Sequence, residues 1–524
     1  MLEIPESIPV VIIGAGPTGL TTGLLLARYG VSSVILERSD VPLDMPRAIV
    51  LDDEGARTLQ VFDADQSYVA QTLVGDGAEY IGDDGVQFGR VGTGPETYGF
   101  AKRFFINQPE METALRDKIA ESPLCELYFS REVTELSEHS DHIAVSYTNP
   151  QGELHNIQAQ YVVAADGGRS PTRDRLGIKV IGSTYEQDWI VIDTLNDPDE
   201  TNYSHFYCSN ERPHVSIPAP HGGRRYEFML LPGETHDDAL EDEFVARLLA
   251  PFREISQADI VRKTIYTFHA RIAERWREGR ILLAGDAAHL TPPFAGQGMN
   301  AGLRDALNLS WKLASVIRGN TSSAILDSYD DERRQPAWAM IQLAVVMGDI
   351  VMPIDQGQLA FRKQLLNALA PFPAVQDYLL NMKFKPRPRF NTGLFVGLDD
   401  GDLEASLVGE MIPQPDLLFE GESRKLDSLL GPGFALIAQD AIGAEALAAF
   451  EETELLGLSL ERVFIPYRDA KGPLPAAHCS DTRVKLLRTH RDQVLLIRPD
   501  RYCAAAFAPE ELVEGLRLYK ALFA

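Results

Sequence analysis

Residues 281–300, ILLAGDAAHLTPPFAGQGMN, carry the pattern that decides the fold. Ile281-Leu282-Leu283-Ala284 is an apolar strand ending in Gly285-Asp286. Thr291-Pro292-Pro293 and Gly296-Gln297-Gly298 form a turn-rich loop. A helix pattern starts near Asn300 and runs through Leu303, Leu307 and Trp311-Lys312-Leu313. Strand, glycine-rich loop and helix in this order present backbone N–H groups at a helix N-terminus to an anion or an electron-rich ligand. Asp286, at the strand tip, is placed to hold a ligand hydroxyl. Pro293 fixes one wall of the loop, and Gly296 and Gly298 let the backbone approach a flat ring closely. Alone, the segment reads equally well as an ordinary strand-to-helix turn. The rest of the chain separates the two readings.

The same architecture opens the chain. Residues 8–13 (IPVVII) are β-branched and apolar, as expected of a buried parallel strand. Gly14-Ala15-Gly16-Pro17-Thr18-Gly19 follows, then a helix pattern over 18–29 capped by Gly30, then a second strand over 34–36 ending in Glu37-Arg38. This is βαβ with G-x-G-x-x-G in its first turn. The first glycine permits the turn, the second admits a pyrophosphate and the third lets helix and strand pack closely. Glu37 follows Gly19 by 18 residues (37 − 19), near the roughly 20 expected of an acid that grips a ribose hydroxyl. An acid there suits an unphosphorylated ribose. Just beyond, Arg47 in Pro46-Arg47-Ala48 is suited to neutralise pyrophosphate charge. Gln108 sits where a strand near Phe104 meets a helix starting at Pro109, a junction from which side chains often meet ligands.

Composition narrows the class. The chain has 524 residues, enough for two or more domains, with 45% apolar and 24% charged residues. Its net charge of −27 argues against nucleic-acid binding and against adhesion to anionic membranes. Cys125, Cys208, Cys479 and Cys503 are widely spaced and form no CxxC, which fits a reducing cytoplasm and argues against a disulfide framework or a cysteine-based metal cluster. The apolar stretch at 8–36 lacks a basic segment ahead of it and is broken by glycines and Arg28, unlike a signal peptide. No apolar run reaches the roughly 18 residues that a membrane span needs.

The expected architecture is α/β, a Rossmann-like dinucleotide domain from residues 1–182 and 271–390 with a helical tail. A mostly antiparallel sheet, 183–270, is inserted in it as a pocket wall. Residues 127–165 read as an antiparallel meander ending in Asp166-Gly167, a second acid–glycine turn. Residues 323–382 read as helical, punctuated by Pro336, Pro353 and Pro371, and Lys385-Pro386-Arg387-Pro388 as a linker. Residues 392–524 read as a small α/β domain, with strands at 434–438, 462–467 and 494–498 and a closing helix over 509–523.

The ordered set Gly14-x-Gly16-x-x-Gly19, Asp166-Gly167 and Gly285-Asp286 with its loop to Asn300 resembles the class A FAD-dependent aromatic hydroxylases, the para-hydroxybenzoate hydroxylase-like group. The C-terminal block resembles the thioredoxin-like domain of the phenol hydroxylase branch; it has no CxxC, which argues against thiol redox work there. Pro46-Arg47-Ala48-Ile49, Asp52-Asp53-Glu54, Arg212-Pro213, residues 225–235, 280–313 and Arg498-Pro499-Asp500-Arg501 are most similar to the 3-(3-hydroxyphenyl)propionate hydroxylase subgroup.

The resemblance implies the following roles. Gly14, Gly16, Pro17, Thr18 and Gly19 would cradle the FAD pyrophosphate, and Glu37 would take the adenosine ribose with Arg38 and Arg47 nearby. Val133 would offer backbone to the adenine, and Gln108 and Asp286 would hold the ribityl chain. Asp166 would lie near the pyrophosphate and the nicotinamide approach. Pro293, Gly296, Gly298, Met299 and Asn300 would wrap the isoalloxazine, with Pro293 and Gly298 set against the reacting ring and backbone N–H groups stabilising charge on the reduced flavin.

The implied reaction is hydroxylation of a small phenol ortho to its hydroxyl through a flavin C4a-hydroperoxide, consuming O2 and NADH or NADPH. 3-(3-hydroxyphenyl)propionate or 3-hydroxycinnamate would become the catechol. With one GxGxxG, NAD(P)H would dock transiently. No metal is needed, and the protein would be a monomer or homodimer. His289 reads as a structural partner of the loop. Some relatives carry an acid or histidine after Pro-Arg-Ala. Ile49 stands there in this chain, so a phenol proton must leave by another route, and His214, Arg225 and Tyr226 are the candidates to meet the substrate. The alternatives are a tailoring hydroxylase or epoxidase of a larger polycyclic phenol, and a flavin-binding protein without turnover.

Overall fold

The computed structural model describes residues 4–42, 46–254, 259–319, 321–369, 371–372, 375, 388–398 and 406–523. Its first sheet is built on the strand Ser7–Ile13, flanked in parallel by Ser33–Leu36 and Leu154–Ala164. Cys125–Tyr128 and Ile281–Leu283 extend the parallel array outward. Val10, Val11 and Ile12 have no exposed surface, as expected for a strand covered on both faces. The meander Glu132–Glu138, Ile143–Thr148 and Leu154–Ala164 feeds into this sheet, because the long third strand pairs antiparallel along its first half and parallel along its second. The helices Pro17–Arg28, Gln108–Glu121 and Gly298–Ile317 pack against the sheet and bury Leu20, Leu115 and Trp311 in one core.

The second sheet has eight strands in the order His289–Leu290, Ile260–Ala273, Val180–Thr194, Gly223–Met229, His214–Ala219, Tyr203–Tyr207, Gly77–Ile81, Gln87–Val91. It draws on more of the chain than residues 183–270. The hairpin Gly77–Ile81 and Gln87–Val91 comes from a segment whose turn-rich sequence carries little strand signal, and it joins through the parallel pairing of Tyr203–Tyr207 with Gly77–Ile81.

Pro336 does not break its helix, which runs unbroken over Asp327–Val351. One lost N–H bond is offset by burial of Tyr329, Ala337, Ile341 and Met347 along the helix. Pro353 does separate it from Gln356–Leu369. Of the expected linker, Lys385-Pro386-Arg387 lies outside the described residues, and the Pro388 carbonyl is already bonded to Met411 N–H. The expected helix beyond 375 also lies outside them. Among the described residues, no helix is long and apolar enough to cross a membrane.

The C-terminal sheet centres on Phe434–Ala438. Leu458–Phe464 pairs with it in parallel after the helix Ala441–Ala449, and Val494–Ile497 and Cys503–Phe507 complete the other side antiparallel. With the closing helix Leu512–Ala521, this is the thioredoxin-like βαβ–ββα order. It lacks paired cysteines, all four thiols being free.

A buried ionic cluster joins this domain to the nucleotide domain. Arg498 donates to both Glu332 oxygens, at 2.8 and 2.7 Å, and to Asp500. Lys312 donates to Glu332 at 2.8 Å, and Trp311 Nε1 to Asp500 at 3.2 Å. Burial drives the Lys312 ammonium down to about 8 against the pull of Glu332. Burial would raise the Glu332 carboxyl, but Arg498 and Lys312 hold it well below its usual range. Removing one partner of such a cluster strands the others. Arg498→Ala is therefore expected to destabilise the protein by about 3–5 kcal/mol, read as a lowered denaturant midpoint. A loss below about 1 kcal/mol, the value of an exposed pair, would show that the cluster is solvated.

Candidate active site

Two strand-to-helix turns meet at the site, and glycine is required in both. Gly14 adopts φ +103°, and a Cβ there would lie 2.4 Å from the Ala165 carbonyl oxygen. A Cβ on Gly19 would lie 2.0 Å from the Gly14 oxygen, so the helix rests directly on its own turn. At the second turn, a Cβ on Gly285 would meet Thr18 Oγ1 at 2.5 Å, and one on Gly302 would meet the same atom at 2.3 Å. Thr18 thus wedges between the second turn and the second helix, and two helix N-termini converge. Their partial positive charges add at the same crevice.

What the crevice offers a ligand is open space and free donors. A Cβ on Gly16 or Gly298 would meet no atom within 4 Å. The N–H groups of Gly298, Met299 and Asn300 have no acceptor among the described residues. The Asp286 carboxylate likewise has no hydrogen-bond partner among them, and burial raises its pKa while His289 and Arg47 oppose that. The Arg47 side chain is exposed, with no hydrogen-bond partner among the described residues.

Internal bonds hold this arrangement. Buried Asp305 accepts from Gly285 N–H at 3.1 Å, pairs with His289 Nε2 at 2.7 Å and accepts from Arg333 at 3.0 Å. His289 is thereby a strut behind the turn. Asn300 accepts from Asp52 N–H at 3.1 Å and donates to the carbonyls of Val50 and Gly296 at 3.1 and 2.9 Å, so its side chain ties the loop to the strand Val50–Asp52. Gln108 Oε1 accepts from the N–H groups of Arg47 and Ala48 at 3.2 and 2.7 Å. Arg225 and Arg262 donate to the carbonyls of Arg47 and Pro46. The loop backbone is gripped from both domains, while the Arg47 guanidinium makes no hydrogen bond among the described residues.

The remaining expected residues lie around the first turn. Glu37 accepts from the N–H groups of Ala15 and Ser39, each at 2.9 Å, and spans the turn. It keeps further lone pairs for a ligand hydroxyl. Arg38 is exposed beside it. Asp166 accepts from Ser170 Oγ at 2.5 Å and Thr172 N–H at 3.0 Å, so it braces Ser170, the N-cap of the short helix Pro171–Arg175. The Val133 carbonyl accepts from Arg175 at 3.2 Å. Pro293 starts the short 3₁₀ turn Pro293–Ala295, and Gly296 follows with φ +62°. Asp52, Asp53 and Glu54 lie close enough to hold a cation together. Arg304 and Lys102 already neutralise them.

The three residues expected to meet the substrate are dispersed by the alternation of the second sheet. Tyr226 hydrogen-bonds Asp197, and with Phe228 packs on the outer face under the helix Asp242–Leu249. His214 shares that face, stacking on Tyr207 and Phe228 with Nδ1 at 2.9 Å from the Arg212 carbonyl. Arg225 does face inward, but Asp193 and the two loop carbonyls use its donors. The inner face carries Trp189, Met229 and Phe268 instead. Phe294 of the flavin loop packs edge-on against Trp189 and Phe268 at 5.9 and 5.5 Å. Local sequence does not single out these aromatic residues or the inward-facing Glu227. Strict period-two alternation could have found them, because Arg225 and Tyr226 cannot share a face.

The space at Gly16, the Asp286 carboxylate and the N–H groups of Gly298, Met299 and Asn300 fit the pyrophosphate, the ribityl hydroxyls and the pyrimidine edge of FAD. The family model described as FAD binding domain matches residues 7–344, and that described as HcaD C-terminal domain matches 409–521. The chain is 35% identical over 519 residues to the 3-(3-hydroxyphenyl)propionate/3-hydroxycinnamic acid hydroxylase of Klebsiella pneumoniae, covering 97% of this chain and 93% of that one. It is 36% identical over 519 residues to the enzyme of the same name from Mycolicibacterium smegmatis, covering 96% and 91%. Among solved structures, the flavin-dependent monooxygenase PieE in complex with FAD and substrate matches with a TM-score of 0.82 at 20% identity, over 99% of both chains. OxyS anhydrotetracycline hydroxylase from Streptomyces rimosus matches at 0.77 with 25% identity, also over 99% of both.

A Gly16→Val substitution places its side chain in open space. It should leave the fold intact by circular dichroism and weaken FAD affinity at least about tenfold, roughly 1.4 kcal/mol. Unchanged FAD affinity by fluorescence titration would show that no ligand group occupies that space.

Proposed function

The chain belongs to the FAD-dependent aromatic hydroxylases, and we propose that it converts 3-(3-hydroxyphenyl)propionate or 3-hydroxycinnamate to the corresponding catechol in the cytoplasm. The observation that carries this reading is full-length similarity to enzymes of that activity, together with a crevice where two helix N-termini converge on one ligand site. The bound FAD supplies electron transfer from NAD(P)H and the activation of O2. The chain supplies binding, orientation and exclusion of water. In this reading Gly14, Gly16 and Gly19 admit the pyrophosphate, with Arg47 adding positive charge. Asp286 takes a ribityl hydroxyl. The N–H groups of Gly298, Met299 and Asn300 stabilise negative charge on the reduced ring, where preorganised donors cost no rearrangement. Phe294, Trp189 and Phe268 form an aromatic wall that keeps water from the reacting groups.

The test is NADH oxidation by the purified holoenzyme with and without 3-(3-hydroxyphenyl)propionate, following oxygen uptake and product. The expected result is at least about tenfold stimulation, 1.4 kcal/mol in activation free energy, with one catechol formed per NADH. Stimulation without hydroxylated product would make this compound an effector only. No stimulation, with turnover of a polycyclic phenol instead, would overturn the assignment in favour of a tailoring enzyme.

A further inference from the structure

Glu227 stands at the middle of the strand Gly223–Met229, directly opposite Val191 on one side and Val215 on the other. Directly opposed residues share a face, so Glu227 points inward with them, toward the flavin loop. One step along the strand lies the aromatic wall, through the pair Trp189–Met229. One step the other way lies the ionic clamp, through the pair Asp193–Arg225. Glu227 is 7% exposed, and its carboxylate makes no hydrogen bond among the described residues. The nearest cation is Arg225 Nη1, 4.0 Å away, and that nitrogen already donates to the Arg47 carbonyl at 2.8 Å. Arg262 is likewise committed to Asp193 and the Pro46 carbonyl. The carboxylate oxygens keep contact with solvent, and a mostly buried carboxylate whose nearest cation is already committed gains from a further donor. Here it sits between an aromatic wall and the loop that frames the cofactor, where a ligand supplies the missing donor.

We propose that Glu227 receives the hydroxyl of the phenolic substrate and takes its proton as the ring is hydroxylated. The inference rests on the functional reading above and deepens it. The O–H bond of the phenol breaks, the proton passes to a Glu227 oxygen, and the electron pair stays on the phenolate oxygen. That pair raises electron density at the ortho carbon, which forms the new C–O bond with an oxygen atom from O2. The hydrogen on that carbon then leaves as a proton and aromaticity returns. The reducing equivalents are those of NAD(P)H, and the second oxygen atom leaves as water. Burial raises the Glu227 carboxyl, with Arg225 and Arg262 opposing and Asp193 adding, so the base is closer in strength to a phenol than a solvated glutamate is. Ile49 cannot perform this step. The negative charge also sets the orientation. A propionate tail is repelled from Glu227, so the ring enters hydroxyl first.

The test uses the FAD-loaded enzyme with 3-(3-hydroxyphenyl)propionate and its methyl ether, which has no phenolic proton. Binding is read from the perturbed flavin spectrum, and catalysis from catechol formed per NADH consumed. Wild type should prefer phenol over ether about tenfold or more, the contribution of a hydrogen bond to a charged group. Glu227→Gln should reduce that preference to within about threefold and slow catechol formation about 100-fold, while NADH oxidation continues uncoupled. Glu227→Asp, which keeps the carboxylate, should recover part of both, and carries the test should the Gln variant fail to hold FAD. A Gln variant that hydroxylates as fast as wild type, or keeps the full preference for phenol, overturns this proposal alone. A wild type that hydroxylates no phenol overturns the functional reading and this proposal with it.

Discussion

The packing of Thr18 against Gly285 and Gly302 is the constraint on which the site depends. Each glycine leaves room for the threonine hydroxyl where a Cβ would collide with it. That contact sets the start of the helix Gly298–Ile317 beside the start of the helix Pro17–Arg28, segments far apart in the chain. One dinucleotide can then meet both helix ends at once. Any side chain at Gly285 or Gly302 would push the helices apart before it touched a ligand.

Buried charge maintains the alignment. Asp305 lies behind the second turn and binds Gly285, His289 and Arg333 together. Arg225 and Arg262 reach across from the second sheet to the Pro46 and Arg47 carbonyls and tie the wall over the crevice to the loop beneath it. Arg498, Glu332 and Lys312 lock the C-terminal domain onto the far side of the same helix layer. In a chain of net charge −27, these arginines are placed where carboxylates and carbonyls would otherwise lie buried without donors.

The parts of this arrangement legible in the sequence were those with a local cause. Gly14, Gly16 and Gly19 announce themselves because a turn, an open space and a close approach each demand glycine at a set spacing. The 281–300 segment is legible for the same reason, and so is the strand Phe434–Ala438, whereas the strand expected over 462–467 lies at Leu458–Phe464. What was not legible depends on distant pairing. Asn300, Gln108 and Asp166 sit at ligand-facing turns, yet their side chains are spent on the protein itself, as only the fold reveals. His214 and Tyr226 were placed at the pocket by residue type alone, and strand alternation turns them to the opposite face. Glu227 is not singled out by local sequence, because only the strand pairing shows which face it occupies. The hairpin at residues 77–91 joined the second sheet through a parallel pairing that no local pattern forecasts. Pro336 stayed within its helix because burial outweighed one missing hydrogen bond.

The most direct measurement of the central claim is a crystal structure of the enzyme with FAD bound. The pyrophosphate is expected in the open space at Gly16, the pyrimidine edge of the ring against the N–H groups of Gly298, Met299 and Asn300, and a ribityl hydroxyl on Asp286. FAD bound away from either helix N-terminus, or Asp286 bonded only to protein, would contradict it.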